Sequence, residues 1–435
     1  MPKEKQIQSV KGMHDILPED QLWREFIFKK AKTILEDYDY ERIETPVLEE
    51  TELFERGVGG GTDIVEKEMY SFKTRGGDSV TMRPEGTAPV ARAYIEHGMR
   101  SLPQPVKLYY IEPMFRHEQP QAGRYREFWH IGAEQFGEES FSTDAELIFV
   151  LLKIFEELGL KNEVTLKINS LGDKNCRPDY KKALKDYYKN KLKKVCASCR
   201  AKFKKNVLRM LDCIQTECKE ISARAPQIFD FLDDDCKLHF KNVLEFLEEA
   251  QVTYILNPYL VRGLDYYTRT VFEVWLEEDS STGSGQGGGI QLAGGGRYDY
   301  LMEELGGQKT EAAGWAIGVE RLIDLLKKKG FETPKTRPEP KIFLAQLGDL
   351  AKKRSLIFFE QFRKAGIPLK ASFTRDSIKS QLRIANRLGI RFTLILGQRE
   401  ALDGNIILRD MESSVQETLP LDGIVETIKK RLKDK

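Results

Sequence analysis

Four short segments hold the residues of this chain that could do chemistry. In residues 115–126 (FRHEQPQAGRYR), Arg116, Arg124 and Arg126 stand with Glu118 in and beside one inter-strand loop. A guanidinium is a planar fork that grips phosphate or carboxylate at two points and keeps its charge when buried. On the strand that follows, alternation puts Arg126, Phe128, His130, Gly132 and Glu134 on one face. A cation, an imidazole and a carboxylate are unusual on a core face; the alternative is a solvated hairpin with ordinary surface charges. In residues 83–87 (RPEGT), Glu85 and Thr87 could receive a substrate ammonium, or simply cap the helix that starts there. Residues 260–273 (LVRGLDYYTRTVFE) crowd Arg262, Asp265, Tyr266, Tyr267 and Arg269 ahead of an apolar strand. Paired tyrosines beside an arginine suit a pocket for a flat polar ligand; equally, they could face a core with their hydroxyls satisfied. Residues 313–321 (AGWAIGVER) run a small-residue strand into a helix with Glu320 and Arg321 in its first turn. An arginine there opposes the helix dipole, and a bound polyphosphate would compensate.

The elements that must position these segments follow from periodicity. Apolar residues at helical spacing predict a helix over 19–38, and a second is expected over 86–97. Residues 107–115 and 126–136 read as strands joined by a loop too long for a tight hairpin. A helix over 143–159 is predicted to open with a capping box from Thr143 to Glu146. A strand at 164–169 precedes a Lys- and Cys-rich helical stretch, 171–250, which reads as an insertion because strand signals return at 268–276 and 312–317. The Gly/Ser run 283–289 has no strand–turn–helix around it and reads as a flexible hairpin tip. Beyond a linker at 331–340, strand and helix alternate, with a hairpin expected around Asp403-Gly404, as in a small α/β domain with a mostly parallel sheet.

The chain has 435 residues, 40% hydrophobic and 31% charged, with a formal net charge of +1. That is globular composition with room for two or three domains, and the whole-chain charge gives no nucleic-acid signal. No apolar run reaches the length of a membrane span, and the charged N-terminus lacks a secretory segment, so a cytoplasmic protein is expected. Charge is uneven, however: residues 177–209 hold thirteen Lys/Arg against two Asp. Such a run is usually a solvated face, though it could also track phosphates. All six cysteines fall between 176 and 236, which is not a secreted disulfide framework. Cys196-x-x-Cys199 and Cys213-x4-Cys218 could make a four-cysteine structural zinc site, the alternative being free thiols.

Taken together and in order, the four segments resemble those of class II aminoacyl-tRNA synthetases, and most closely histidyl-tRNA synthetases. The likeness runs from KGMHDILPED near the start into the C-terminal region. Residues 40–57 resemble motif 1, 115–134 motif 2, 314–321 motif 3, and LVRGLDYYTRTVFE the histidine-specific signature. The resemblance implies an α+β fold: a class II antiparallel sheet flanked by helices, a helical insertion, and a C-terminal α/β anticodon-binding domain. It divides the chain into a catalytic core (1–170 and 251–330), an insertion (171–250), a linker (331–340) and the anticodon-binding domain (341–435). It implies ATP-dependent activation of L-histidine and transfer to the 3′ end of tRNA(His), with Mg²⁺ accompanying ATP and a homodimer formed through motif 1. By the same resemblance Arg116 and Arg262 are catalytic, gripping the α-phosphate and the histidine carboxylate. Arg124 and Arg321 hold the β- and γ-phosphates beside Glu118, with Arg321 also against the adenine. Glu85 and Thr87 hold the α-ammonium. Glu134 and Tyr267 bracket the imidazole nitrogens, with Tyr266 and His130 in the same pocket, and the insertion faces the tRNA acceptor arm. Two positions depart from the family pattern: His130, where glutamine is usual, and Gln119, where many bacterial members carry a basic residue. A non-catalytic regulatory subunit of histidine biosynthesis is the alternative on this scaffold; such relatives lack the anticodon domain and have degraded signature arginines, whereas Arg116, Arg262 and Arg321 are present here. A purely tRNA-binding protein would not need the tyrosine pair and Glu134.

Overall fold

The computed structural model describes residues 6–119, 123–276, 289–334, 339–373 and 377–433. They form two compact units, Met1–Pro334 and Lys335–Lys435. Much of the Gly/Ser run and of the 331–340 linker lies outside the described residues.

The larger unit is organised by a sheet whose strands lie in the order Glu41–Arg42, Val106–Phe115, Glu127–Phe136, Ala312–Gly318, Ile290–Arg297, Thr268–Leu276, Val164–Ser170 and Tyr254–Leu256. The pairings are antiparallel except at the two edges, where Glu41–Arg42 and Tyr254–Leu256 each run parallel to their neighbour. Alternation gives the sheet one apolar and one polar face. Tyr109, Ile111, Ile131, Ala133, Trp315 and Ile317 point into a core closed by the helices Pro18–Asp37, Phe141–Glu157 and Val319–Lys328, and by Asp234–Glu249 further along the chain. Pro18–Asp37 contributes Trp23, Ile27, Ala31 and Leu35, one side chain per turn, all buried. Each of the large ones is worth about 1.5–3 kcal/mol on burial. The same helix is tied to the third by Arg24, whose guanidinium meets Glu320 at 2.7 Å out of solvent. The other Glu320 oxygen accepts from Trp129 N at 2.9 Å.

The capping box expected at Thr143 is not made. Phe141–Glu157 begins two residues earlier, so that Ser140 caps it by accepting from Ser142 N and Phe141 packs edge-on against Phe246. Residues 171–250 are largely helical. The helices Arg177–Lys189, Ala197–Lys205 and Thr216–Ser222 share a core with Tyr266, Tyr267 and Tyr298, while Asp234–Glu249 places Phe240, Val243 and Leu247 in the main core. Strands Leu48–Glu50, Tyr70–Lys73 and Ser79–Met82 form a small separate sheet.

In the smaller unit the strands lie in the order Leu369–Ala371, Ile342–Gln346, Phe392–Leu396, Asn405–Asp410 and Gln416–Pro420. The first three pair in parallel, and Asn405–Asp410 pairs antiparallel with both its neighbours, so the sheet is mixed. The hairpin turn is not at Asp403-Gly404. Gly404, at φ 72°, ends the short helix Gln398–Asp403 in the left-handed region. The turn comes after Asp410, whose carboxylate accepts from the backbone N–H groups of Glu412 and Ser413.

Candidate active site

The polar face of the large sheet floors a cleft of about 870 Å³. One row of cross-strand partners sets its depth: Tyr110, Gly132, Ala316, Gly294 and Glu273 lie side by side. Two glycines in this row leave room that a methyl would fill. A Cβ on Gly132 would stand 2.1 Å from the Tyr110 ring, and one on Gly294 would stand 2.3 Å from an Arg262 nitrogen. The floor is therefore low where a substrate must lie, with a tyrosine and an arginine laid across it.

At one end, Glu134 is fully buried. It accepts hydrogen bonds from Thr87 Oγ1 (2.8 Å), Tyr110 (3.4 Å) and Tyr298. Burial pushes its carboxyl up to about 8, against the pull of those three donors, and Glu85 nearby adds to the rise. Burial also raises the phenols of Tyr110, Tyr266 and Tyr298 well above their ordinary value, so they are donors at neutral pH. The Tyr266 and Tyr267 rings touch at 4.6 Å between centroids, and Tyr267 carries the Arg262 guanidinium 5.6 Å above its face. Glu85 accepts from Thr87 N at 2.8 Å and Ala88 N at 2.9 Å, capping the helix Thr87–Glu96. Each of its oxygens keeps a second lone pair, so capping and binding an ammonium are compatible.

At the other end the charges are positive. Arg116 Nε donates to Pro84 O, and its guanidinium lies 5.3 Å over Phe128. Arg124 reaches Glu118 at 3.2 Å while Arg116 stays 3.9 Å from it. Arg321 leaves its helix to donate to Gln291 O and Gly123 O, and its pKa is lowered by burial and by the Arg124 charge beside it. Three guanidiniums thus gather around Glu118, with Glu68, Glu85 and Glu273 also within electrostatic reach of one or more of them, a concentration of positive charge suited to a polyanion. Arg126, grouped with them in the sequence, instead braces the loop through Glu118 O and Lys11 O.

Between the two ends sit Arg262 and His130. Arg262 is held by Glu273 at 2.5 Å, and Glu273 is itself fixed by Trp275 Nε1 and Gln291 Nε2. His130 is kept neutral: burial and then Arg116, Arg321 and Arg262 press its pKa well below the usual imidazole range. Its Nδ1 is buried without a hydrogen-bond partner among the described residues.

Residues 12–322 match the family described as Histidyl-tRNA synthetase, and residues 344–431 match the Anticodon binding domain family. The chain belongs to the histidyl-tRNA synthetase family. It is 45% identical over 425 residues to a histidine–tRNA ligase of Dehalococcoides mccartyi, covering 98% of this chain and 100% of that one. A Caldicellulosiruptor saccharolyticus histidine–tRNA ligase is 44% identical with the same coverage. Among solved structures, apo histidyl-tRNA synthetase of S. aureus superposes with a TM-score of 0.78 at 35% identity, over 97% of this chain and 99% of that one. The fold, a mainly antiparallel sheet with flanking helices and a separate C-terminal sheet domain, is accordingly that of a class II synthetase.

Glu85, Thr87, Arg116, Glu118, Arg124, His130, Arg262, Tyr266, Tyr267 and Arg321 all line the one cleft, and Glu134 lies beneath it in contact with Thr87. Gln119, at the edge of the undescribed 120–122, is exposed. Sequence reasoning passed over Tyr110, Tyr298 and Glu273. Tyr110 had a signal, since it shares the alternation face opposite Gly132 once the two strands are paired. Glu273 closes the signature segment. Tyr298 carried none, because it reaches Glu134 from 164 positions away. Two members of the basic run, Arg177 and Arg209, are braces rather than phosphate-facing charges. Arg177 donates to Tyr267 O at 2.6 Å and Arg209 to Gly263 O at 2.6 Å, so both hold the signature segment from behind.

Proposed function

We propose that this chain activates L-histidine with ATP to histidyl-adenylate in this cleft and passes the histidyl group to the 3′ end of tRNA(His). One observation carries the reading: three clustered guanidiniums, the Arg262–Glu273 pair and Tyr110, Tyr266 and Tyr267 face a single cleft, with Glu134 buried beneath it against Thr87. The phosphates of ATP lie among Arg116, Arg124 and Arg321, with the Arg321 guanidinium also against the adenine. The histidine carboxylate faces Arg262 and Arg116. Its ammonium lies by Thr87, by the free lone pairs of Glu85 and by Nδ1 of His130, which being neutral can accept a hydrogen bond. The imidazole points to Glu134 and Tyr267. An analogue without ring N–H groups would leave those buried partners unpaired, which is the stronger means of rejection.

A carboxylate oxygen of histidine attacks the α-phosphorus, the bond to the β-phosphate oxygen breaks, and pyrophosphate leaves. Negative charge spreads over phosphate oxygens as it does so, and guanidiniums fixed in advance stabilise it; no side-chain nucleophile is needed. The terminal tRNA hydroxyl then attacks the adenylate carbonyl and AMP departs. Mg²⁺, which takes phosphate oxygens, waters and one or two carboxylates, would neutralise phosphate charge; Glu118 and Glu273 are carboxylates lining that part of the cleft.

The smaller unit binds the anticodon stem in this reading, and a homodimer forms around motif 1. The exposed Leu48 and Phe72 of the small sheet, with Val47 beside them, support the dimer. No helix among the described residues is long and apolar enough to cross a membrane, which is compatible with action in the cytoplasm. Aminoacylation of a tRNA(His) transcript tests the whole reaction. Histidine- and ATP-dependent charging is expected, and charging of other tRNAs in preference would refute the assignment.

A further inference from the structure

Four cysteines cluster at the wall of the cleft, Cys196 and Cys213 lining it, without any part in the chemistry above. Cys196 caps the helix Ala197–Lys205, Cys199 lies in its first turn, Cys213 follows in a loop, and Cys218 lies in the helix Thr216–Ser222. Their four sulfurs all lie within 4.8 Å of one another. Cys196 and Cys213 are 3.8 Å apart. A tetrahedron of thiolates about 2.3 Å from a zinc ion has edges of about 3.8 Å. The cluster is therefore close to the size that one ion requires.

Backbone N–H groups already point at two of the sulfurs: Cys199 N donates to Cys196 Sγ at 3.4 Å and Cys196 N to Cys218 Sγ at 3.3 Å. Such bonds offset thiolate charge, as do the basic residues Arg200, Lys202 and Lys219 beside the ligands in sequence. Cys199, Cys213 and Cys218 are buried while Cys196 is partly open, giving a closed site with an approach.

The other cluster of this kind among the described residues is Asp173, Cys176, Asp233 and Cys236. Its carboxylates are already engaged, Asp173 with Asn175 N and Cys176 N in the turn before a helix, and Asp233 with Cys236 N as a helix N-cap. It serves as the internal control.

We propose that Cys196, Cys199, Cys213 and Cys218 bind one structural zinc ion that staples two helices and a loop of the insertion. Four soft thiolates in a tetrahedron select zinc over the hard Mg²⁺ that accompanies ATP. The ion has a definite mechanical consequence. Cys196, Ala197 and Ser198 line the cleft on one side of the staple, and Asp212, Cys213, Ile214 and Gln215 line it on the other. Zinc would fix both segments at once, holding the wall that faces Arg262 and Glu273 while taking no part in the reaction.

The test uses the full-length protein and reads metal, not activity. Purified protein grown with zinc should contain one zinc per chain by plasma mass spectrometry. X-ray absorption should show four sulfur neighbours, and replacement by cobalt(II) should give the intense visible bands of a tetrahedral thiolate site. Cys213→Ser and Cys218→Ser should each lose the ion, and Cys236→Ser should keep it. Should the ligand variants fail to fold, the cobalt titration of the parent protein decides alone. Parent protein with no zinc and no cobalt bands, iron in place of zinc, or two disulfides among the four thiols on mass mapping would each overturn the proposal.

Discussion

At one end of the cleft Glu134 is sealed from solvent, and Thr87, Tyr110 and Tyr298 all donate to it. At the other, Arg124 is about half exposed and Arg116 stands 3.9 Å from the nearest Glu118 oxygen. The first end is finished before a ligand arrives, since its polar groups already satisfy one another. The second keeps arginines only loosely paired with Glu118, so an anion can still add to them. Under the proposed function, selection of the amino acid would belong to fixed geometry, and capture of ATP to the loosely paired arginines.

The largest effect is expected where the two ends meet. Arg262→Ala should cut kcat/KM for histidine-dependent ATP–pyrophosphate exchange by about 10²- to 10³-fold, the cost of removing a preorganised donor. A loss of less than about tenfold would mean that Arg262 does not touch the reacting groups.

Glu134→Gln tests the finished end. With a buried acceptor altered, kcat/KM for histidine should fall roughly 10- to 100-fold while KM for ATP stays put, in line with about 1–3 kcal/mol for a buried polar group left unsatisfied. Stability gives an independent reading. The folded Glu134 carboxyl titrates near 8 against an ordinary 4.5. A raised folded pKa means that its contribution to stability is full below 4.5 and is lost as pH rises through about 8. Melting temperatures of the ligand-free parent should therefore fall more over that interval than those of the variant, and parallel curves would contradict the burial argument.

The unfinished end should yield smaller effects, and on ATP. Arg321→Ala should raise KM for ATP by about tenfold, and the more exposed Arg124→Ala by about threefold, both diminishing with added salt. If either raised KM for histidine instead, the division between the ends would fail. His130→Gln should change least, within about threefold in kcat/KM, since one neutral acceptor replaces another. No shift of the pH profile is expected, because His130 is uncharged throughout.

Much of this was legible in the sequence because it is periodic or local. Alternation put Phe128, His130, Gly132 and Glu134 on one face, and helical spacing gave Pro18–Asp37 to within one residue at each end. Where two local signals competed, the choice depended on tertiary contacts. Ser140 displaced Thr143 as cap so that Phe141 could reach Phe246. Asp403-Gly404 read as a hairpin, but the same pair can end a helix, and the sheet register places the turn after Asp410. The residues that were missed act across the chain. Tyr298 and Glu273 matter through Glu134 and Arg262, partners that only the folded sheet brings near. Arg177 and Arg209 show the converse, since their membership of a basic run hid their role as braces.

The central claim is that the Glu134 end chooses the amino acid before tRNA takes part. ATP–pyrophosphate exchange measured with each of the twenty amino acids, without tRNA, tests it most directly. Exchange with histidine alone, cut by about 10²- to 10³-fold in Arg262→Ala, is the expected result. Exchange with several amino acids, or with none, would contradict it.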